Sequence, residues 1–343
     1  MTEPGPPYGL RVYTARVLVF LLLASLLYLL WTLRELVILV FGGVLAAVVF
    51  DLIAEPFQRW LRVPRWAALL LAVLLVIALF AGAAVLFGGE IARQATAIRS
   101  DLPQALQSLR RWLEPLGLEE ALGGSGGQGL VGRIASFAMS VGSGLADVLL
   151  AVVAGVYFAA QPKLYRRGLL KLVPQDSRGK VGDALEDSGV ALRRWLMGQL
   201  LAMLIVGVLT GVGLWLLGVP AALTLGLIAA LFDFVPTFGP IVAAVPGVLI
   251  AFLQSPELAL WTVGLYLLIQ QLEGNLITPL VQQRAIDLPP ALLLFALVAG
   301  GLVFGLAGVL LAAPLTVVLL VIVKRLYVRE ALHTPTRLPT DND

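Results

Sequence analysis

Three acidic side chains stand alone in a long stretch of chain that has no lysine or arginine. The stretch runs from Trp195 to Gln283, and its acids are Asp233, Glu257 and Glu273. A carboxylate at the middle of a bilayer costs roughly 2.5–3.5 kcal/mol on insertion scales, so acids there usually serve a function. If this stretch lies in a membrane, it predicts a site that handles ions or solutes.

Asp233 lies where an apolar helix has to break. It is followed closely by Pro236, Gly239 and Pro240. A break at membrane depth is tolerated only inside protein or beside a wet cavity, and the freed helix ends carry partial charges that hold ions or substrates. Asp233 is therefore a candidate for proton coupling, and the alternative is a helix cap nearer the membrane surface.

Glu273 belongs to a polar cluster that directly follows another apolar run. The cluster also contains Gln270, Gln271 and Asn275, and Pro279 follows it. Amide and carboxylate groups suit a hydroxyl-rich solute or a partly hydrated cation. The alternative is again an interfacial cap, which Gly274 would help to form.

The remaining acids near membrane segments read more simply. Glu257 follows Ser255 and Pro256, which together favour the start of a helix. Asp287 precedes two prolines and is interpreted as a cap, and Asp51 is expected at an interface.

Composition indicates an all-α polytopic membrane protein. The chain is 59% hydrophobic and 13% charged, with a mean hydropathy of +0.95, whereas soluble domains carry about 25% charged residues. It has no cysteine, and its one histidine, His333, is expected to be an exposed tail residue, so a metal centre is not predicted. No phosphate-binding loop or hydrolase motif occurs, so we predict no enzyme activity, no cofactor and no nucleic-acid binding.

The apolar runs predict about five to six full spans and two broken-helix regions. The spans are expected at 17–33, 36–54, 66–88, 145–160, 200–217 and, in shortened form, 258–272. The broken regions, 221–253 and 291–323, are either re-entrant hairpins or kinked spans. The predicted domain division is 1–88, 89–144, 145–199, 200–328 as the transport core, and a disordered tail at 329–343.

The segment 89–144 differs from the rest because it is amphipathic rather than uniformly apolar. Its apolar residues recur every three or four positions, Pro103 is expected to break it into two helices, and a glycine-rich linker lies at 123–129. It either packs on its own small core or forms a subunit contact or gate.

Charge asymmetry predicts that both termini are cytoplasmic. With the broken regions as hairpins, 18 of the 24 Lys and Arg residues fall on the inner side. Five of them are expected to lie near anionic lipid headgroups: Arg166, Arg167, Lys171, Arg193 and Arg194. The glycine pairs Gly207–Gly211 and Gly301–Gly305 predict close helix packing.

The last third of the chain resembles the AI-2E family of bacterial inner-membrane proteins, the autoinducer-2 exporter family. The resemblance rests on three blocks: Pro236-Thr237-Phe238-Gly239-Pro240, then Gln270-Gln271-Leu272-Glu273-Gly274-Asn275 with Pro279, then Gly300, Gly301, Gly305, Gly308 and Pro314. It implies efflux of small polar molecules such as autoinducer-2, sodium(lithium)/proton antiport in other members, and a homo-oligomer, a pentamer in the family.

Two positions depart from the family pattern. Relatives have an aromatic residue directly after the first proline, where this chain has Thr237, and often a histidine before the last hairpin, where this chain has Pro289. A proton-carrying histidine is thus absent, which leaves Asp233 and Glu273 as the expected carriers.

Three functions remain open at the level of sequence. The leading hypothesis is a secondary exporter of a small polar solute, with Asp233 and Glu273 coupled to protons and Gln270, Gln271 and Asn275 on the solute. The second is Na⁺(Li⁺)/H⁺ antiport. The third is a non-transporting envelope protein that recruits partners through 89–144.

Overall fold

A computed structural model describes the chain over 31–113, 145–236, 238–277 and 289–336. It also describes the isolated positions 13, 17–23, 25, 28, 279, 338 and 340–341. Between 91 and 113 it describes the backbone helix and only two side chains, Arg93 and Thr96. Thr237, Asp287 and the glycine-rich linker lie outside the described residues.

Every regular element in these ranges is a helix, as predicted. The helices are α1 (Arg34–Trp60), α2 (Arg65–Leu113), α3 (Leu145–Ala160), α4 (Pro162–Lys171), α5 (Arg178–Leu216), α6 (Ala222–Phe232), α7 (Phe238–Gln254), α8 (Pro256–Leu272) and α9 (Pro290–Ile322). A 3₁₀ turn at Gln175–Ser177 precedes α5, and π-helical turns at Glu273–Ile277 and Val323–Arg329 extend α8 and α9.

By length and composition alone, four of these helices could cross a membrane, and α9 is one of them only if its two arms are counted together. A fifth span results if α3 and α4, which meet at an angle of 91°, are counted as one broken span. The chain is therefore an all-α polytopic membrane protein, because so much apolar helix surface is stable only in contact with lipid.

Both broken regions fold back on themselves as helical hairpins. Within α9, Gly305 has φ +64° and ψ −144°, and the backbone of Gly300 touches that of Gly308. In a straight helix those two residues would be about 12 Å apart, so the arms 290–304 and 306–322 are antiparallel. Gly305 is consequently a turn residue with a left-handed φ and not the helix-packing glycine that the sequence predicted.

The first hairpin consists of α6 and α7. Leu225 of α6 packs in one cluster with Ile250 and Ala251 of α7, which requires that the chain reverse between the two helices. Whether either hairpin enters the bilayer from one side remains a prediction.

Helices α5 to α8 form the bundle that carries the candidate site. The glycines of α5 bring it close to α6, since the backbones of Gly207 and Gly211 approach that of Gly226, which confirms the predicted packing role of this pair. Helix α8 returns antiparallel to α7. One end of the bundle, here called the acid end, therefore holds the end of α6, the start of α7 and the end of α8. The opposite end, called the far end, holds the 217–221 turn and Ser255.

Two predicted boundaries differ from the structure. Helix α2 runs through Pro103 without a break, and a proline inside a helix costs a hydrogen bond but does not always end it. The boundary placed between 199 and 200 falls inside α5, because the basic stretch and the apolar run continue one helical path. Pro174 lies between α4 and α5.

Two of the five basic residues predicted to lie near lipid headgroups also pair with acids of the protein. Arg166 bonds to Glu186 at 3.0 Å, and Arg193 pairs with Glu55 and, at 3.5 Å, with Asp51. Sequence spacing could not show these pairs because each partner is on another helix or about twenty residues away. Lipid contact of all five basic residues remains a prediction.

Candidate functional site

The structure brings Asp233 and Glu273 together at the acid end of the bundle. Asp233 follows the last residue of α6, and Glu273 follows the last residue of α8. The two side chains lie close enough to interact electrostatically with each other. Two acids that are 40 positions apart in the sequence thus form one site.

Asp233 is the more enclosed of the two acids. Its exposed fraction is 0%, and neither carboxylate oxygen has a hydrogen-bond partner among the described residues. A buried polar group without a partner is costly, so such groups in folded proteins usually indicate a role or a bound species.

Gln199 of α5 holds the backbone at this position. Its Nε2 donates a hydrogen bond to the Asp233 carbonyl oxygen over 2.7 Å, and the side chain is 3% exposed. The carbonyl belongs to the helix end, where backbone oxygens lose their intrahelical donors. Gln199 therefore supplies the missing donor and connects the helix break after Asp233 to the middle of α5.

Gly239 makes the tight turn between α6 and α7 possible. Its amide donates to the Val235 carbonyl over 2.9 Å, and a Cβ atom at this position would collide with the Phe232 carbonyl group. Only glycine allows the two backbones to approach this closely. The neighbouring Pro236 and Pro240 are half-buried and frame the same turn.

The polar cluster after α8 divides between two sides of the helix. Gln270 and Glu273 are half-buried, whereas Gln271 and Asn275 are exposed and bonded to each other, with Asn275 Nδ2 donating to Gln271 Oε1 over 3.0 Å. Pro279 is also exposed. The structure thus places Gln270 on the same half-buried side of the helix as Glu273 and leaves the other two amides exposed.

The other two acids lie apart from this site. Glu257 is exposed in the first turn of α8, where Ser255 Oγ accepts from the Leu258 amide over 3.1 Å, which confirms the predicted helix start. Asp51 pairs with Arg65 at 3.2 Å. The described residues contain no group of three or more His, Cys, Asp or Glu side chains that would hold a metal ion.

Sequence reasoning missed Gln199. It stands directly before the apolar run that begins at Leu200, so it reads as a boundary residue. The available signal was the spacing of Trp195, Gln199, Ala202 and Val206, which places Gln199 on the inward face of a helix that starts earlier.

The arrangement can hold a proton or a small cation between two carboxyl groups. Two carboxylates side by side in surroundings of low dielectric repel each other strongly. A proton or a monovalent cation relieves that repulsion, and the backbone carbonyls at the helix ends provide further oxygen atoms.

Comparison with known proteins identifies the family of the chain. The sequence profile of the family described as AI-2E family transporter matches residues 18–328. YueF of Bacillus subtilis (strain 168) is 27% identical over 80% of both chains, and MT0215 of Mycobacterium tuberculosis (strain CDC 1551 / Oshkosh) is 29% identical over 85% of this chain and 84% of its own. YrrI of Bacillus subtilis (strain 168) is 36% identical over 48% of this chain and 46% of its own. All three are named for transport, without a stated solute. The chain belongs to the AI-2E family of membrane transport proteins.

Proposed function

We propose that this protein is a secondary exporter of a small polar organic solute of the autoinducer-2 type, driven by protons that bind at Asp233 and Glu273. The observation that carries the proposal is the meeting of these two acids at a helix break, with Asp233 fully buried. An acid pair at a break is costly in a membrane, so its presence supports a role in moving charge.

The solute would approach from the side of Gln270. This amide lies beside Glu273, and hydrogen-bonding amides suit hydroxyl and carbonyl groups. Gln271 and Asn275 face outward, so they would contact the solute only after rearrangement of the π-helical turn at Glu273–Ile277 or across a subunit contact. The homo-pentamer implied by the family resemblance is part of this proposal.

Flux from proteoliposomes loaded with autoinducer-2 tests the coupling. We expect Glu273→Gln and Asp233→Asn to fold, because each keeps the size of the side chain, but to lose acceleration by an imposed pH gradient. Glu257→Gln is the matched control, since that acid is exposed at the far end, and should behave as wild type. Full gradient dependence in Glu273→Gln would rule out the coupling role.

A second candidate is Na⁺(Li⁺)/H⁺ antiport, which the same acid pair favours. Two carboxyl groups and the carbonyls of a broken helix are the oxygens that a sodium ion takes as ligands. A dye that reports internal pH distinguishes the two functions. If the dye signal recovers only when Na⁺ or Li⁺ is added, the result supports antiport. If it recovers only when the organic solute is added, the result supports export.

The third reading, a recruitment role for 89–144, stays a prediction. The structure describes the backbone of this segment only to Leu113. Membrane transport is the shared designation of the relatives, and deletion of 93–129 with transport retained would show that the segment has a separate role.

The proposed orientation has both termini in the cytoplasm of a bacterial inner membrane. The support is the charge asymmetry of the loops. Alkaline phosphatase fused after Asp343 should be inactive, and the same enzyme inserted in the 217–221 turn should be active; the reverse pattern would contradict the orientation.

A further inference from the structure

A second polar cluster lies inside the bundle, away from the acid pair. It consists of the hydroxyl groups of Thr210, Thr262 and Tyr266, here called the hydroxyl layer. These residues are 1%, 0% and 9% exposed, and none of the three hydroxyl oxygens has a hydrogen-bond partner among the described residues.

The absence of partners is unusual within this chain. Ser188 and Thr316 are also buried in helices, and each donates to the carbonyl four residues earlier over 2.7 Å. That bond is open to any helical serine or threonine. Thr210 and Thr262 do not make it, so their hydroxyls are turned toward the bundle interior.

The layer lies on the same faces as the acid pair but nearer the far end. On α8, Thr262, Tyr266 and Glu273 are separated by four and seven positions, which places them on one helix face. On α5, Thr210 follows Gln199 by eleven positions. At 1.5 Å per residue both threonines are about 16 Å from the acid end, and the tyrosine ring points toward Thr262, as side chains in helices lean to the N-terminus.

The opposite wall, α7, approaches the layer at Gly247. The Tyr266 hydroxyl lies against this residue, where an added Cβ atom would approach it to 2.5 Å. Because glycine has no side chain, the hydroxyl lies directly against the backbone of α7.

We infer that the hydroxyl layer is a hydrated subsite that binds water between the acid pair and the far end of the bundle. A buried water molecule needs two to four polar partners, and the three hydroxyls supply them. The subsite has no charged group, which suits water or the hydroxyl of a passing solute better than an isolated ion. A proton or a polar solute that moves between the acid pair and the far end could bind at this polar position on the way.

This inference extends the proposed transport site, but its first test needs no transport. The chain has no cysteine, so Thr210→Cys and Thr262→Cys can be probed singly in proteoliposomes with a small methanethiosulfonate reagent. Ala72→Cys is the matched control, because Ala72 is 0% exposed in an apolar cluster that contains no member of the hydroxyl layer. Since only a hydrated thiol ionises readily, we expect the threonine positions to react at least about tenfold faster. Equal rates at all three positions would overturn the hydrated subsite.

The second test separates the hydroxyl from the shape of the side chain. Thr262→Val keeps the shape and removes the hydroxyl, whereas Thr262→Ser keeps the hydroxyl. We expect the valine variant and Tyr266→Phe to lose autoinducer-2 flux, with a melting temperature equal to or above that of wild type, and the serine variant to retain flux. Wild-type flux in the valine and phenylalanine variants would show that the hydroxyls are not on the path. Fast labelling at the two threonine positions, together with no autoinducer-2 flux in the wild type, would refute the proposed export and leave the subsite standing.

Discussion

At the scale of single residues, the acid pair depends on a neutral neighbour. Gln199 bonds to the backbone of Asp233 and to neither carboxylate. It therefore positions the helix end without neutralising the acid. This leaves both carboxylate oxygens of Asp233 available to a proton, a cation or a solute.

Removal of that amide should weaken the site without removing its charge. In Gln199→Leu the Asp233 carbonyl loses its donor, and an unsatisfied buried group costs about 1–3 kcal/mol. We expect lower thermal stability and lower flux, with the pH-gradient dependence retained because both acids are present.

Gln254→Leu is the control for this change, since Gln254 is exposed at the end of α7. Equal stability of the two variants in a detergent melting assay would contradict the positioning role of Gln199.

At the scale of elements, the break between α6 and α7 is defined by close backbone approach. Val235 is buried, and its amide donates a hydrogen bond to the Phe232 carbonyl over 3.0 Å. The Gly239 amide in turn donates to the Val235 carbonyl. The turn is thus held by its own hydrogen bonds, which explains how an irregular segment persists among apolar helices.

A methyl group at Gly239 should disrupt this turn. The Cβ of Gly239→Ala would meet backbone atoms of Phe232, which cannot rotate away, and overpacking of this kind costs about 1–3 kcal/mol. We expect a lower melting temperature and loss of flux.

Gly264→Ala serves as the reference, because an added Cβ there meets nothing within 4 Å. It should be neutral or stabilising, as alanine favours helices over glycine by about 1 kcal/mol. A Gly239→Ala protein as stable as Gly264→Ala would show that the turn tolerates the methyl group.

At the scale of the whole molecule, the C-terminal tail connects the two long helices α5 and α9. Arg325 contacts Asp183 at 2.8 Å and Asp187 at 3.4 Å, Thr340 bonds to Asp187, and Leu338 is 4% exposed. The described part of the tail is therefore docked, although its polar composition predicted disorder, because buried Asp187 gives it a partner. His333 is exposed, as expected.

Docking of the tail should weaken in acid. The Arg329 guanidinium and the Leu338 amide, which donate to Asp341, hold the pKa of that carboxyl below its ordinary value. Because the pKa of Asp341 is lower in the folded protein, its ionised form stabilises the docked tail. This stabilisation is fully present at pH values above the unfolded pKa of about 3.9, and it is lost as the pH falls through the folded pKa. Amide protection of Leu338, Thr340 and Asp341, corrected for intrinsic exchange, should therefore be constant from neutral pH to about pH 5 and fall below about pH 4.

The effect should be small because the ion pair is exposed. Asp341→Asn should remove this pH dependence and lower protection at neutral pH. Protection in the wild type that is unchanged at about pH 3 would contradict the contribution of Asp341.

The sequence by itself determined the class of the protein and selected the two acids of its candidate site. Long apolar runs admit only helices in lipid, and acids that interrupt such runs are too costly to be incidental. This reasoning selected Asp233 and Glu273 and the break at Pro236 to Pro240, since each feature is local and its cost is the same in any fold.

Only the tertiary structure decided which of these features meet. The pairing of Asp233 with Glu273, the bond from Gln199 and the shared height of Thr210 and Thr262 depend on antiparallel packing of α5 to α8. The same packing turns Gln271 and Asn275 outward. Local periodicity reports which face a residue occupies on its own helix, but the face that it meets is set by long-range contacts between helices, which sequence spacing does not encode.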